Sequence, residues 1–242
     1  MRLPLPVKLA PGHEPQIKGA GGLPVRRPHV SFLLMLLFSI SFVAQQVLIV
    51  PKSYHAYLFL SGYGMKSGQL WELFTCQFFH SNHSLVLGIT HLLVNLAGLW
   101  FLGRTVETHW GSGRFLLLYF GAGLAGALAQ GAFAVAGFLL PESQATAADF
   151  LIARFGESVG SSIGLCGVFA VFCQWRRDTT FRLLWLLPLR GRYLLWLAFG
   201  CSALLLLVPS DPSLAHMGHF VGLLTGLVFF RLWREPNARR KA

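Results

Sequence analysis

The chain has 242 residues, of which 54% are hydrophobic and only 12% are charged. A soluble globular domain carries about twice that share of charged residues, so this composition excludes an ordinary soluble domain and a disordered chain. The formal net charge of +11 is attributed to membrane topology and not to binding to nucleic acid. The four cysteines form no CxxC pair, so neither a disulfide framework nor a metal site is predicted.

Six stretches of at least 18 residues contain no Asp, Glu, Lys or Arg, and they predict six transmembrane helices. A spanning helix needs about 20 mainly apolar residues. The stretches cover residues 28–51, 73–103, 115–141, 158–175, 193–210 and 212–230. The second stretch is too long for one helix, and its aromatic beginning, 73–83, is expected to lie outside the span. The apolar run 183–189 is too short to cross and is interpreted as interfacial.

The basic residues predict the orientation of these spans. If the N-terminus is cytoplasmic, the inner segments are 1–27, 104–114, 176–192 and 231–242, and they contain 17 of the 20 Lys and Arg residues. Cytoplasmic loops are enriched in Lys and Arg, so both termini are predicted to be cytoplasmic. Residues 1–27 are expected to form a flexible basic tail, residues 28–233 the membrane domain, and residues 234–242 a second short basic tail.

Four polar residues lie within predicted spans, where polar groups are costly and usually mark a functional site. They are His91 and Asn95 in the second span, Ser162 in the fourth and His219 in the sixth. All three spans run from outside to inside in the predicted topology. At 1.5 Å per residue, Ser162, His91 and His219 are expected roughly 6–11 Å below the outer boundary, with Asn95 one turn deeper. The sequence therefore predicts one shallow polar layer shared by three helices.

A serine and a histidine in one layer are typical of nucleophilic catalysis, because a serine hydroxyl needs a neighbouring base to accept its proton. His219 is the predicted base for Ser162. His216, one turn earlier, is the alternative, but Gly222 and Gly226 follow His219 at i+3 and i+7. These small residues would let another helix approach the histidine face closely.

The second span supplies groups that could stabilise an oxyanion. His91 and Asn95 stand at i and i+4 and share one helical face. Together with the backbone N–H of Ser162, they could donate hydrogen bonds to a developing oxyanion. No acidic residue lies in a predicted span, so a Ser–His dyad is favoured over a triad.

Four motifs, in chain order, resemble those of the rhomboid intramembrane serine proteases. Residues 160–167 (GSSIGLCG) resemble the family's GxSx serine motif, in a register that selects Ser162 over Ser161. Residues 219–226 (HFVGLLTG) resemble its HxxGxxxG motif, and residues 91–95 (HLLVN) match its HxxxN motif. Residues 103–115 resemble the loop between its second and third helices. The resemblance covers about residues 65–232.

The resemblance implies an all-α membrane protein, a six-helix rhomboid-like bundle that cleaves membrane-embedded proteins. It carries over Ser162 as nucleophile, His219 as general base, and His91 and Asn95 as oxyanion stabilisers. It implies transmembrane protein substrates in a lipid bilayer, cut near the outer face, and no cofactor or metal. A plasma or bacterial inner membrane is expected, because no organelle signal is evident.

The alternative function is a catalytically inactive rhomboid-like protein that binds transmembrane helices. Ile163 favours this alternative, because the family usually has Gly or another small residue after the serine. A branched side chain at that position would crowd the helix contact beside the nucleophile. The intact Ser162 and His219 favour the protease.

Overall fold

A computed structural model of the chain describes residues 29–47, 57–81, 84–140, 143, 157–183, 187–207 and 215–233. The predicted tails, 1–27 and 234–242, lie outside the described residues. The described elements are α1 (Val30–Val47), β1 (Leu60–Ser61), α2 (Gly62–Lys66), α3 (Glu72–Thr75), α4 (Leu85–Gly98), α5 (Arg104–Trp110), α6 (Ser112–Leu139), β2 (Glu157–Ser158), α7 (Ser162–Trp175), β3 (Thr180–Leu183), β4 (Leu187–Arg190), α8 (Gly191–Leu207) and α9 (His216–Trp233). Six of these described helices have 14 or more residues, and two short antiparallel strand pairs depart from the predicted all-α fold.

Two helix boundaries differ from the sequence prediction. The second long helix runs on through a π-helical turn, Leu99–Gly103, into α5, so most of the predicted inner loop 104–114 is helical. This helix ends at Trp110, and the next residue, Gly111, has a φ of 84°, which suits glycine. The fourth long helix begins at Ser162 and not at 158, because β2 pairs with β1 just before it. Ser162 is therefore the first residue of its helix.

The surface of the bundle fits a bilayer. Two described helices, Leu85–Trp110 and Ser112–Ala136, are long and apolar enough to cross a membrane by length and composition, and shorter apolar helices accompany them. Large apolar side chains on several helices are at least half exposed, among them Phe32, Leu36, Val86, Phe101, Trp196 and Leu232. Exposed large apolar side chains on this many helices are unusual for a soluble monomer. The count of six spans stays a prediction.

Helix α7 packs between α6 and α9 through small residues. A Cβ atom on Gly167 would collide with Ala122 of α6, and one on Gly226 would collide with the carbonyl of Gly167. The backbones thus approach more closely than larger side chains would allow. Inside a bilayer, close packing of this kind is a main source of helix association. Buried aromatic and branched side chains complete this core, including Phe38, Phe115, Leu118, Tyr119 and Val168.

The helices α5, α7 and α9 end on the same side of the bundle. Their C-terminal aromatic residues meet there, with the Trp110 and Trp175 rings 5.2 Å apart and the Trp110 and Phe230 rings 6.4 Å apart. Of the Lys and Arg residues in the described part of the chain, all but Lys66 lie towards this end: Arg104, Arg114, Arg176, Arg177, Arg182, Arg190, Arg192 and Arg231. The predicted charge asymmetry is therefore present in the fold, while its orientation in the membrane stays a prediction.

Glu107 fixes this basic end of the bundle. Its buried carboxylate accepts hydrogen bonds from the backbone N–H groups of Val30 (2.6 Å) and Ser31 (2.9 Å), at the start of α1. It also accepts one from the hydroxyl of Ser112 (2.7 Å), at the start of α6. The free N–H groups of a helix N-terminus are well satisfied by a carboxylate, so Glu107 ties three helices together.

Candidate active site

Ser162 and His219 meet at the N-terminal ends of α7 and α9. Ser162 Oγ lies 2.7 Å from His219 Nε2, although the residues are 57 positions apart in the chain. The close helix approach makes this contact possible, since a Cβ atom on Gly222 would lie only 2.5 Å from the carbonyl oxygen of Ile163. Of the two predicted candidates for the base, the structure places His219 on the hydroxyl. The ring of His216 lies 5.9 Å from that of His219.

The turn before Ser162 leaves open space beside its hydroxyl. Gly160 adopts a φ of 142°, a conformation that favours glycine. A Cβ atom at this position would lie 2.9 Å from Ser162 Oγ and 3.4 Å from His91 Nε2. The serine hydroxyl and the His91 imidazole therefore border the same small space. The backbone N–H of Ser162 has no partner within its own helix, because it belongs to the first turn.

His91 presents a donor to this space. Its Nδ1 accepts a hydrogen bond from the backbone N–H of Ser81 at 3.4 Å, which assigns the proton of the neutral ring to Nε2. Asn95 is buried, and its Nδ2 donates to the carbonyl of His91 at 3.0 Å, within the same helix. The structure thus brings Ser162, His219 and His91 together, and it bonds Asn95 to the backbone of His91.

Two residues of α6 that the sequence analysis did not single out hold this arrangement. The buried Gln130 bridges both sides of the site: its Nε2 donates to Ser158 Oγ at 2.9 Å, and its Oε1 accepts from the backbone N–H of Gly218 at 3.2 Å. Tyr119 donates its hydroxyl to the carbonyl of Ser161 at 2.7 Å. A glutamine in a charge-free span was an available signal. Tyrosine carries no such signal, because it is also common at membrane interfaces.

The segment 57–81 is bonded to the strand that precedes Ser162. In the β1–β2 pair, Leu60 stands opposite Ser158. The backbone N–H of Gly160 also donates to the carbonyl of Cys76 at 3.0 Å. Burial raises the pKa of the Cys76 thiol to about 12, so this thiol stays protonated at neutral pH and is a poor second nucleophile.

His80 is buried in the same segment, beside His91. The two imidazole rings lie 5.3 Å apart, and the rings of Phe38 and Phe42 pack on His80 at 6.2 and 5.9 Å. Burial in this apolar pocket, and to a smaller extent the neighbouring His91, lowers the pKa of His80 to about 3. His80 is therefore neutral at physiological pH, and protonation would place a cation in an aromatic pocket next to the site.

Ile163 fills a pocket formed by glycines. Its side chain is buried and lies against Gly126 of α6 and Gly218 of α9, where a Cβ atom would collide with it. Gly222 faces the Ile163 carbonyl, so the branched side chain is accommodated where α6, α7 and α9 meet. The expectation that Ile163 crowds the helix contact is therefore wrong: neighbouring glycines provide the volume it occupies.

These features define the class of the protein, an integral membrane protein with a serine–histidine pair at one end of a helical bundle. Residues 67–235 match the family model described as the rhomboid domain. The chain belongs to the rhomboid family, which includes serine intramembrane proteases.

Two curated relatives agree with this assignment. The chain is 42% identical over 66 residues to rhomboid protease GluP of Bacillus subtilis (strain 168), a match that covers 27% of this chain and 12% of that protein. It is 30% identical over 166 residues to RHOMBOID-like protein 1 of Arabidopsis thaliana, which covers 66% of this chain and 35% of that protein. The chain therefore spans well under two thirds of the length of both relatives.

Proposed function

We propose that this protein is a serine intramembrane endopeptidase that cleaves transmembrane segments of other membrane proteins near the outer face. The observation that carries the proposal is the 2.7 Å contact between Ser162 Oγ and His219 Nε2. This pair lies at the end of the bundle opposite the arginines, and the positive-inside bias assigns that end to the outer side. The proposed substrates are transmembrane proteins of the plasma membrane or a bacterial inner membrane.

Ser162 acts as nucleophile and His219 as general base. His219 Nε2 takes the hydroxyl proton while Ser162 Oγ bonds to the scissile carbonyl carbon, and the carbonyl π electrons move to oxygen. The imidazolium then gives that proton to the leaving amine as the C–N bond breaks and the acyl-enzyme forms. Water, deprotonated by His219, attacks the ester and releases the second product, and the returned proton restores Ser162.

The developing oxyanion would receive hydrogen bonds from His91 Nε2–H and from the backbone N–H of Ser162. The N-terminus of α7 adds the positive end of its helix dipole. Asn95 is proposed as a further donor through its second amide N–H, since the first is bonded to the His91 carbonyl. In serine proteases, loss of one such donor costs about 10²–10³ in kcat.

A dyad, not a triad, is proposed for this site. Among the described residues, no carboxylate forms a hydrogen bond or an ion pair with His219. The alternative function, an inactive binder of transmembrane helices, was favoured by Ile163 alone. Because Ile163 fits between glycines, no specific observation now favours that alternative.

The test uses the purified full chain in liposomes with a fluorescent transmembrane substrate. Ser162→Ala and His219→Ala are expected to lower cleavage by at least about 10³-fold, because a dyad fails when either partner is removed. A fluorophosphonate probe is expected to label the wild type and not Ser162→Ala, since only an activated serine reacts.

The neighbouring Ser161 supplies a matched control. Ser161→Ala removes the adjacent hydroxyl and is expected to keep both cleavage and probe labelling. Full cleavage by folded Ser162→Ala would refute the proposal. A folded wild type that binds the helix but is neither labelled nor active would support the inactive alternative.

A further inference from the structure

The strands β3 and β4 form an amphipathic hairpin between α7 and α8. Phe181 pairs with Leu189, while Arg182 pairs with Pro188 and Thr180 with Arg190. Successive residues of a strand point to opposite faces. One face of the hairpin therefore presents Arg182 and Arg190, and the other presents Phe181 and Leu189.

The arginine face offers positive charge that the described chain does not neutralise. Arg182 and Arg190 are exposed diagonal neighbours on one face, at a spacing of about 7–8 Å for such pairs. Neither forms an ion pair with any described residue. The nearby Asp178 lies 3.6 Å from Arg177 and 3.7 Å from Arg192 instead.

The apolar face is only partly covered by the protein. Phe181 packs on Phe172 of α7, with ring centroids 5.3 Å apart. Farther along the hairpin, Leu187 is 54% exposed. On α8, directly after the hairpin, Tyr193 and Trp196 are 53% and 69% exposed. Exposed tyrosine and tryptophan are typical of the level of lipid headgroups.

We infer that this hairpin lies in the headgroup region of the inner leaflet and binds anionic phospholipid. Arg182 and Arg190 contact the phosphodiester groups, and the opposite face rests on the acyl-chain boundary. A guanidinium group suits phosphate oxygens because it donates two parallel hydrogen bonds. This placement is consistent with the interfacial position that the sequence predicts for the run 183–189.

A lipid fits this surface better than a free anion does. A soluble phosphate would use only the arginine face and would leave Leu187, Tyr193 and Trp196 exposed. A phospholipid supplies both halves: a negative headgroup for the arginines and apolar chains for the face behind them. Lipid binding at the hairpin requires only that the arginine end of the bundle faces the cytoplasm, and it does not depend on the proposed proteolysis.

The test titrates the purified full chain, in a neutral detergent, with dihexanoyl phosphatidylglycerol and follows binding by native mass spectrometry. Saturable binding is expected for the wild type, and binding about 10- to 30-fold weaker for the double variant Arg182→Gln/Arg190→Gln, since each basic residue contributes about a factor of five. The charge-preserving Arg182→Lys/Arg190→Lys variant is expected to lose less affinity for the lipid than the glutamine variant does. Dihexanoyl phosphatidylcholine is expected to bind weakly and equally to all variants.

The matched control is Arg114→Gln/Arg231→Gln, which removes the same charge from the same end of the bundle and leaves the hairpin intact. Unchanged binding by the folded hairpin variant would overturn the inference, and so would an equal loss in the control. Equal competition by soluble glycerol phosphate would also overturn it, because the ligand would then be a free anion. Labelling by the fluorophosphonate probe is measured separately. Failure of the proposed proteolysis can therefore be distinguished from failure of lipid binding at the hairpin.

Discussion

At the scale of single residues, Ile163 shows how the effect of a side chain depends on its neighbours. It occupies the space that Gly126 and Gly218 leave between three helices. We expect Ile163→Ala to open a cavity and lower the free energy of unfolding by about 2 kcal/mol, because surrounding helices relax only partly. Thermal unfolding in detergent measures this change. Leu224→Ala, on the exposed face of α9, is the control and is expected to cost less.

A gain of activity in Ile163→Ala would contradict this packing role. If Ile163→Ala kept the stability and raised cleavage, the isoleucine would be obstructing the site. The inactive alternative would then regain its support.

We expect His80 to make the stability of the protein depend on pH. Its pKa falls from 6.5 to about 3 on folding, so the unfolded chain binds more protons between these values. The free energy of unfolding should therefore fall as pH drops below 6.5, by up to about 1.4 kcal/mol per pH unit. We expect His80→Phe to remove this part of the slope between pH 6.5 and 5, as measured by unfolding midpoints.

A packing change in the same pocket is the control for this prediction. Phe42→Leu alters a ring that contacts His80 but removes no titratable group. It is expected to shift the whole stability curve and to leave its slope unchanged. Equal slopes for wild type and His80→Phe would contradict the assignment.

At the scale of elements, the contact between α7 and α9 decides whether Ser162 reaches His219. Gly226 lies against the carbonyl of Gly167, where backbone cannot move aside as a flexible side chain could. We expect Gly226→Ala to push the helices apart, cost about 1–3 kcal/mol of stability and lower cleavage. Gly200→Ala on α8, where a Cβ atom would meet nothing within 4 Å, should be neutral or slightly stabilising because alanine is the better helix former.

Cleavage and unfolding midpoints are measured for both glycine variants. If Gly226→Ala unfolds and cleaves like the wild type, the helix contact is not what brings the serine and histidine together.

At the scale of the whole molecule, the gathering of arginines at one end predicts the orientation in the membrane. We expect both termini on the cytoplasmic side, because Lys and Arg are retained there. Epitope tags fused to each terminus should be digested by protease in inverted vesicles and protected in intact cells or spheroplasts. A tag cleaved from the outer side would contradict the even number of spans, the assigned orientation, or both.

Much of the architecture could be predicted from the order of residues alone. The composition identifies a membrane protein, because a bilayer tolerates few charges inside long apolar stretches. The motifs point to the rhomboid family, which the family model confirms. The preference for His219 over His216 as the base stays a prediction; it comes from the glycines that share a helical face with His219, and the structure places His219 Nε2 2.7 Å from Ser162 Oγ.

Other features depend on segments far apart in the chain, and only the tertiary structure decided them. Ser162 starts its helix because β2 is held by β1, about 100 residues earlier in the chain. Gln130 of α6 forms hydrogen bonds both with Ser158, which precedes α7, and with Gly218 in the first turn of α9. Ile163 is accommodated by glycines on other helices. Helical periodicity identifies the face on which a side chain lies. The volume available opposite that face is set by the partner helices. Packing and buried hydrogen bonds are therefore decided only in the folded chain.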